Sequence, residues 1–561
     1  MKNFSCVLFD HYQHQKQKAI LYFQSTDKED ITITYQDLLE NAYRYTREYE
    51  KTGIKPGDII ILVLQHSVDL IYAYYGAILA GAVPSIMPFL TEKLLPEKYQ
   101  HDFQSLIQII QPKAIMTYRA FKQEVFDQFS ERLSVDHIVL CEDVPSQTKP
   151  LTDESLPGLA RDEDDVVLLQ HSSGTTGLQK GVALSHKAVF QQLDHYSHAI
   201  DLDPQTDVIV SWLPLYHDMG LIACFLMPIL CGVPLVMMSP FDWVKAPYRL
   251  FTAISTYKGT LCWLPNFSYN FCAKKVRDAQ LEEVNLTTLR AVINCSEPVR
   301  YESHQAFLQK YQSYGLKEKA LAASYAMAEN VFAVTQGGIK STLVEDRIDR
   351  DSLQIDRKAI PVREGGSEIV MVSTGRPIEG VSVKVIDDDG KTLNEREIGE
   401  LIIKSDCLFS GYYNRADLTD KSFINGWFRT GDYGYIAGGE VFVTGRKKDL
   451  IIVGGKNIYP QDLEAIAMEV EGVHPGRVVA FGIFNETAGT EDVVIVAEKD
   501  STVVDKENIA NTIKEKVTRN SAIALRHVLV VDEKWLIKTS SGKIARSANK
   551  DKYLQLFHSV H

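Results

Sequence analysis

The sequence predicts an α/β protein with largely parallel sheets, on three observations. From residue 31 to about residue 89, strand-like and helix-like runs alternate. A loop rich in glycine, hydroxyl groups and lysine, Ser172-Ser173-Gly174-Thr175-Thr176-Gly177-Leu178-Gln179-Lys180-Gly181, follows an apolar β-prone run at 166–169. The 561 residues, 45% hydrophobic and 24% charged, suffice for several cores, so more than one domain is expected.

The elements follow in order. A polar–apolar strand at 31–35 leads to a helix at 36–51, a turn at Gly53, Pro56 and Gly57, and a buried strand at 59–64. Another helix and strand fill 70–91, and 101–130 reads as helix, strand (114–118) and helix. A proline- and acid-rich connection, 147–165, leads into the strand and the glycine loop. Three glycines, four hydroxyls and an ammonium suit a phosphate, because backbone N–H groups can turn toward an anion there. The spacing is not that of the Walker loop, and an ordinary turn has the same composition.

Composition excludes several classes. A net charge of -13 without a long basic run argues against a nucleic-acid binder. The eight cysteines form no CxxC pair and sit mostly among apolar residues, which fits reduced core thiols in the cytoplasm rather than a disulfide or zinc framework. The N-terminus lacks the apolar core of a secretory signal. Two uncharged runs, 70–91 and 219–240, approach membrane-spanning length, but glycine and proline interrupt both, so no membrane span is expected.

Further along stands Ser211-Trp212-Leu213-Pro214-Leu215-Tyr216-His217-Asp218-Met219-Gly220-Leu221. A His-Asp pair between a strand and an apolar helix fits a metal or acid–base site, and equally a capping aspartate beside a packed histidine. Taken with the glycine loop, this segment resembles the adenylate-forming superfamily of acyl-CoA synthetases, luciferase, peptide-synthetase adenylation domains and fatty acyl-AMP ligases. Later segments keep that superfamily's order: Asn294-Cys295-Ser296-Glu297-Pro298, Ser324-Tyr325-Ala326-Met327-Ala328-Glu329, Phe428-Arg429-Thr430-Gly431-Asp432, Gly445-Arg446-Lys447-Lys448-Asp449 and Lys538-Thr539-Ser540-Ser541-Gly542-Lys543. The likeness runs from about 30 to 548.

The resemblance implies a large N-terminal domain (1–447) of mainly parallel sheets flanked by helices. A small mobile C-terminal α/β domain (448–561) would pivot at Lys448. It implies that a carboxylate joins the α-phosphate of ATP and pyrophosphate leaves. Ser172, Ser173, Gly174, Thr175, Thr176, Gly177 and Lys180 would hold the phosphates, and Glu329 would hold Mg²⁺ against them. Lys543 would bridge carboxylate and α-phosphate, with His217 beside the acyl group. Ser296, Glu297, Pro298, Ser324, Tyr325, Ala326 and Met327 would line the adenine side. Asp432 would accept the ribose hydroxyls, with Arg446 adding a donor.

Within the superfamily, Tyr216-His217-Asp218-Met219-Gly220, Pro265-Asn266-Phe267-Ser268-Tyr269, Glu297-Pro298-Val299-Arg300 and Asn457-Ile458-Tyr459-Pro460-Gln461-Asp462 look like the fatty acyl-AMP ligases. So does the long segment between Glu329 and Gly375, whose middle (about 341–368) resembles that branch's insertion. The implied substrate is a fatty or other aliphatic acid, and the implied acceptor a separate holo acyl carrier protein. The alternative acceptor is coenzyme A. Asp351-Ser352-Leu353 matches a phosphopantetheine attachment sequence only by coincidence, since the preceding glycine is missing. The wall from Thr260 to Pro265 offers no acid for an α-amino group, so an acyl chain fits it better than an amino acid. Trp263, with Asn266, is expected on the acyl side, its indole shortening the pocket.

Overall fold

The computed structural model describes residues 3–26, 29–90, 96–129, 135–146, 151, 156–172, 180–454, 456–486, 490–500, 505–521, 525–539 and 542–557. Of the expected phosphate loop, Ser173, Gly174, Thr175, Thr176 and Gly177 lie outside the described residues, as does the side chain of Ser172.

A nine-stranded sheet forms the centre. Its six inner strands, Leu321–Ala326, Ala291–Asn294, Leu261–Leu264, Ile209–Ser211, Leu235–Met238 and Ala19–Gln24, run parallel, while antiparallel strands close both edges. A second sheet of four parallel strands holds Ile59–Leu62 and Ala114–Thr117, whose side chains are buried on both faces. Such continuously apolar strands belong inside a parallel sheet covered by helices. The helices Tyr35–Lys51 and Val68–Leu79 pack closely because Gly76 has no side chain; a Cβ there would lie 2.6 Å from the Ala42 carbonyl.

Val381–Ile386, Gly399–Ser405, Phe423–Ile424, Trp427–Ala437 and Glu440–Arg446 form a wholly antiparallel sheet. The C-terminal part, from Ile451 on, has its own core of Ile451, Leu463, Val478, Ile495 and Ile513 beneath a three-stranded sheet. The expected α/β class, with a large N-terminal and a smaller C-terminal domain, is therefore met. Lys448 lies in the turn Lys447–Asp449 between the two cores.

The long segment after Glu329 is ordered. Glu345–Asp349 and Glu368–Val372 pair as an antiparallel hairpin, and Ile348, Leu353 and Ala359 share a small core with Tyr435, Phe442 and Tyr459. The uncharged run at 219–240 divides into a wide π-helical stretch (Met219–Leu226), a short helix (Met227–Cys231) and the strand Leu235–Met238. No helix among the described residues is long and apolar enough to cross a membrane.

Candidate active site

Register builds the site. Leu264, Asn294 and Ala323 align across three adjacent parallel strands, so the loops that follow them emerge side by side. Ligands of open parallel sheets bind at such carboxyl ends. Two of the strands lead into Pro265-Asn266 and Cys295-Ser296-Glu297, and the third ends in Ser324-Tyr325-Ala326, segments the sequence had singled out separately. Two non-glycine residues here adopt left-handed backbone, Ser296 (φ 70°) and Val331 (φ 61°). Each costs on the order of 1–3 kcal/mol, and such strain gathers at functional sites.

Where the nucleotide is expected, the Tyr325 hydroxyl donates to Asp432 at 2.6 Å, and the Asp432 backbone N–H is held by Thr430 Oγ1. Arg446 faces Asp432 across the ladder of the antiparallel sheet, its Nε 3.6 Å from Oδ1. Burial pushes the Asp432 carboxyl above the usual range, and the Arg446 charge and the Tyr325 bond only partly offset it. Glu329 accepts from the Tyr412 hydroxyl at 2.7 Å, and the Lys180 ammonium sits 4.4 Å from the centre of the same ring. Tyr412 is fixed there by strand pairing, since Tyr412 opposes Val182, two residues past Lys180. Burial raises the Glu329 carboxyl as well, against the Tyr412 bond and the charges of Lys180 and Arg446. Ser324 is turned into the sheet, its hydroxyl bonded to the Thr335 carbonyl. Met327 is buried, and Ser296, Glu297, Pro298, Tyr325 and Ala326 line the cavity described below.

Lys543 arrives from the small domain. Its Nζ donates to the Ser296 carbonyl at 2.7 Å and stands 3.3 Å from His217 Nε2. His217 Nδ1 is 2.6 Å from Asp218, which also caps the following helix through the Met219 N–H. The capping reading of this pair is met, and the aspartate also lies against a histidine that faces the lysine. Gly220 permits the turn, because a Cβ would lie 2.3 Å from the Pro214 carbonyl. Burial would raise the Asp218 carboxyl, yet His217, Lys543 and the Met219 N–H together hold it below its ordinary value. Burial lowers the Lys543 ammonium, with Arg446 adding to the effect, while Glu297 and Asp218 pull the other way. A second tie across the domains is the ion pair of Arg300 with Asp462 at 2.7 Å.

Ser296, Tyr325, Asp432, Arg446 and Lys543 open on one cavity of about 1640 Å³, whereas His217, Glu329, Tyr412 and Lys180 do not line it. Beyond Tyr216 its walls are aromatic. Trp212 and Trp243 stack face to face at 3.6 Å, with Phe267 edge-on to both and Phe271 tilted against Trp243. Asn266 lines the cavity, but its amide ties loops together: Oδ1 accepts from Asn294 and the Arg300 N–H, and Nδ2 donates to Ser303. Trp263 is absent from these walls. Its indole is fully buried and donates to the Tyr196 hydroxyl at 2.9 Å, which in turn donates to Gln336. The expectation that Trp263 shortens the pocket is thus corrected: the indole belongs to a hydrogen-bonded tie in the core.

The AMP-binding enzyme family matches residues 8–413. The chain belongs to this family. This AMP-binding enzyme is 28% identical to the medium-chain fatty acid acyl-carrier-protein ligase JamA of Moorena producens, over 97% of this chain and 93% of that protein. Its fold matches a structure from a study of fatty acyl-adenylate ligases from E. coli and L. pneumophila, with a TM-score of 0.88 and 25% identity over 100% of this chain and 99% of the other. A fatty acyl-adenylate ligase from L. pneumophila in complex with acyl adenylate and pyrophosphate matches at a TM-score of 0.73 and 28% identity, over 98% and 96% of the two chains.

Sequence reasoning missed Tyr412, the Arg300–Asp462 pair and the stacked indoles. Trp212 stood inside the segment that carries His217, so its aromatic character was the available signal. Tyr412 carried none, and the segments that hold Arg300 and Asp462 were marked without their pairing, because the partners lie 83 and 162 residues apart.

Proposed function

We propose that this AMP-binding enzyme activates a fatty or other aliphatic carboxylic acid with ATP, forming acyl-AMP and pyrophosphate, and passes the acyl group to the phosphopantetheine thiol of a separate acyl carrier protein in the cytoplasm. The observation that carries the reading is Lys543, held by Ser296 and His217 on a cavity that the Asp432–Tyr325 pair and the stacked indoles also line. Adenylation gathers charge where a carboxylate meets the α-phosphate, and a positioned ammonium stabilises that charge without reorganising. Asp432 binds the ribose hydroxyls, Arg446 favours its ionised form against the effect of burial, and Lys180 meets the leaving phosphates. Glu329 offers a hard oxygen donor suited to Mg²⁺, which when bound with ATP neutralises the phosphates.

The acceptor step needs the lysine withdrawn. We place the pivot at Lys448, so that the small domain, 448–561, turns as a unit against 1–447. The hairpin that fills the presumed insertion touches that domain: Asn457 Nδ2 donates to the Gln354 carbonyl at 3.0 Å and Arg350 to the Asn520 carbonyl. The rim of the same cavity carries Lys245, Lys274, Lys275 and Arg277, exposed and with no acidic partner among the described residues. On an otherwise acidic protein such a local positive rim would steer a partner of opposite charge.

The test is a panel of carboxylic acids scored by trapped acyl-adenylate, followed by acceptor comparison. Acyl-adenylate with an aliphatic acid, and faster transfer to a holo carrier than to free coenzyme A, is expected; equal or faster transfer to coenzyme A overturns the acceptor. Chain-length profiling separates the indoles. Trp243→Leu is expected to shift the preference toward longer acids. Trp263→Phe is expected to leave the profile unchanged and lower stability by about 1–3 kcal/mol, because the Tyr196 hydroxyl loses its buried donor. A changed profile in Trp263→Phe would return that residue to the pocket.

A further inference from the structure

A second group of chemically reactive side chains lies outside the cavity. His195 stands on the helix His186–Ala199, one turn before His198. Asp406 and Cys407 directly follow the strand Gly399–Ser405. His195 Nε2 is 3.3 Å from Asp406 Oδ2, and Cys407 Sγ is 3.3 Å from Asp406 Oδ1. One nitrogen, one oxygen and one sulfur thus lie within 4.8 Å of one another.

We propose that His195, Asp406 and Cys407 bind a divalent transition-metal ion of the zinc class, with a water completing the shell. Tetrahedral zinc with bonds of about 2.0–2.3 Å sets its ligand atoms about 3.3–3.8 Å apart, so the side chains need close by only a fraction of that. The mixed nitrogen, oxygen and sulfur set favours zinc over magnesium or calcium.

Three further observations support the site. A histidine bound through Nε2 commonly turns its Nδ1–H to a carboxylate. Here His195 Nδ1 is buried without a hydrogen-bond partner and faces Glu379 Oε2 at 4.0 Å. The local charge also calls for a cation. Glu379 and Asp406 pair with no lysine or arginine among the described residues; Glu379 has only the two histidines beside it, His198 Nδ1 being 3.8 Å away. Finally, Gly380 (φ +72°) makes the convergence possible, since a Cβ would stand 2.5 Å from Asp406 Oδ1 and 2.6 Å from His195 Nε2.

The Cys407 thiol is raised by burial and by the Asp406 carboxylate, so binding a metal at neutral pH releases its proton. The ion ties the helix that follows the phosphate-loop hairpin to the antiparallel sheet. Occupancy therefore stabilises the native chain.

The test uses full-length, tag-free protein stripped with a chelator and titrated with Zn²⁺ against a chromophoric competitor, and separately with Co²⁺. The expected result is one tight equivalent per chain, a higher melting temperature with zinc, and a thiolate-to-cobalt charge-transfer band. Cys407→Ser is expected to abolish the band and weaken zinc at least about 100-fold, His195→Ala to weaken it similarly, and Glu379→Gln to weaken it about 10-fold. Cys407→Ser changes only one atom, so its folding, checked by circular dichroism, keeps the test readable if His195→Ala is unstable. No tight equivalent in the native chain, or an equivalent retained by Cys407→Ser, overturns the proposal.

Discussion

Lys543→Ala is expected to lower acyl-adenylate formation about 100- to 1,000-fold, the usual loss when one preorganised transition-state donor is removed. The fold is expected to remain intact. The ammonium is partly buried and its charged form is disfavoured there, so its removal relieves a desolvation cost. The measurement is pyrophosphate release and pyrophosphate exchange into ATP, beside a thermal melt. The pH profile adds a sign. Because the Lys543 ammonium is held below the ordinary lysine value, adenylation should fall on the alkaline side earlier than a solvated lysine would allow. Lys543→Arg should move that limb to higher pH, at a lower plateau. Near-normal pyrophosphate release in Lys543→Ala would sink the assignment.

The second large effect is at Asp432. Asp432→Asn is expected to cost about 2–4 kcal/mol of ATP binding, which is about 30- to 1,000-fold in kcat/KM, since a buried, charge-assisted pair loses one partner. Arg446 and the Tyr325 hydroxyl both lose their anion in the variant. The sign on pH is opposite to that of the lysine. Burial raises the Asp432 carboxyl, so the native enzyme should lose ATP affinity on the acid side at a higher pH than an ordinary carboxylate would. In Asp432→Asn the part of that limb due to Asp432 should vanish, leaving the rise attributable to Glu329, whose carboxyl is also raised. Unchanged KM for ATP would remove Asp432 from the ribose site.

The site was legible in the sequence where its chemistry is local. Asp432, Tyr325 and Glu329 each sit in a short segment that resembles a motif of the adenylate-forming superfamily, and the segments come in that superfamily's order along the chain. The site was illegible where a partner is remote. Nothing near Tyr412 says that its hydroxyl will meet Glu329 while its ring lies beside Lys180; sheet pairing with Val182 decides that. Trp263 shows the limit of composition most clearly. The segment from Thr260 to Pro265 announces an indole at a strand end, but whether the ring lines a cavity or bonds Tyr196 depends on what packs against that face.

By itself, the sequence determined the alternation of strands and helices, the glycine-rich loop and the ordered set of chemical segments, because each depends on residues within one or two turns of chain. Only the tertiary structure decided that Lys543 reaches Ser296 and His217, some 247 and 326 residues away, and that Trp212 and Trp243 form the aromatic wall. The physical reason is that a lysine in a glycine loop reads the same whether it faces water or an active site. Its role is set by the closure of one domain on another, through contacts such as Arg300 with Asp462 that no local pattern encodes.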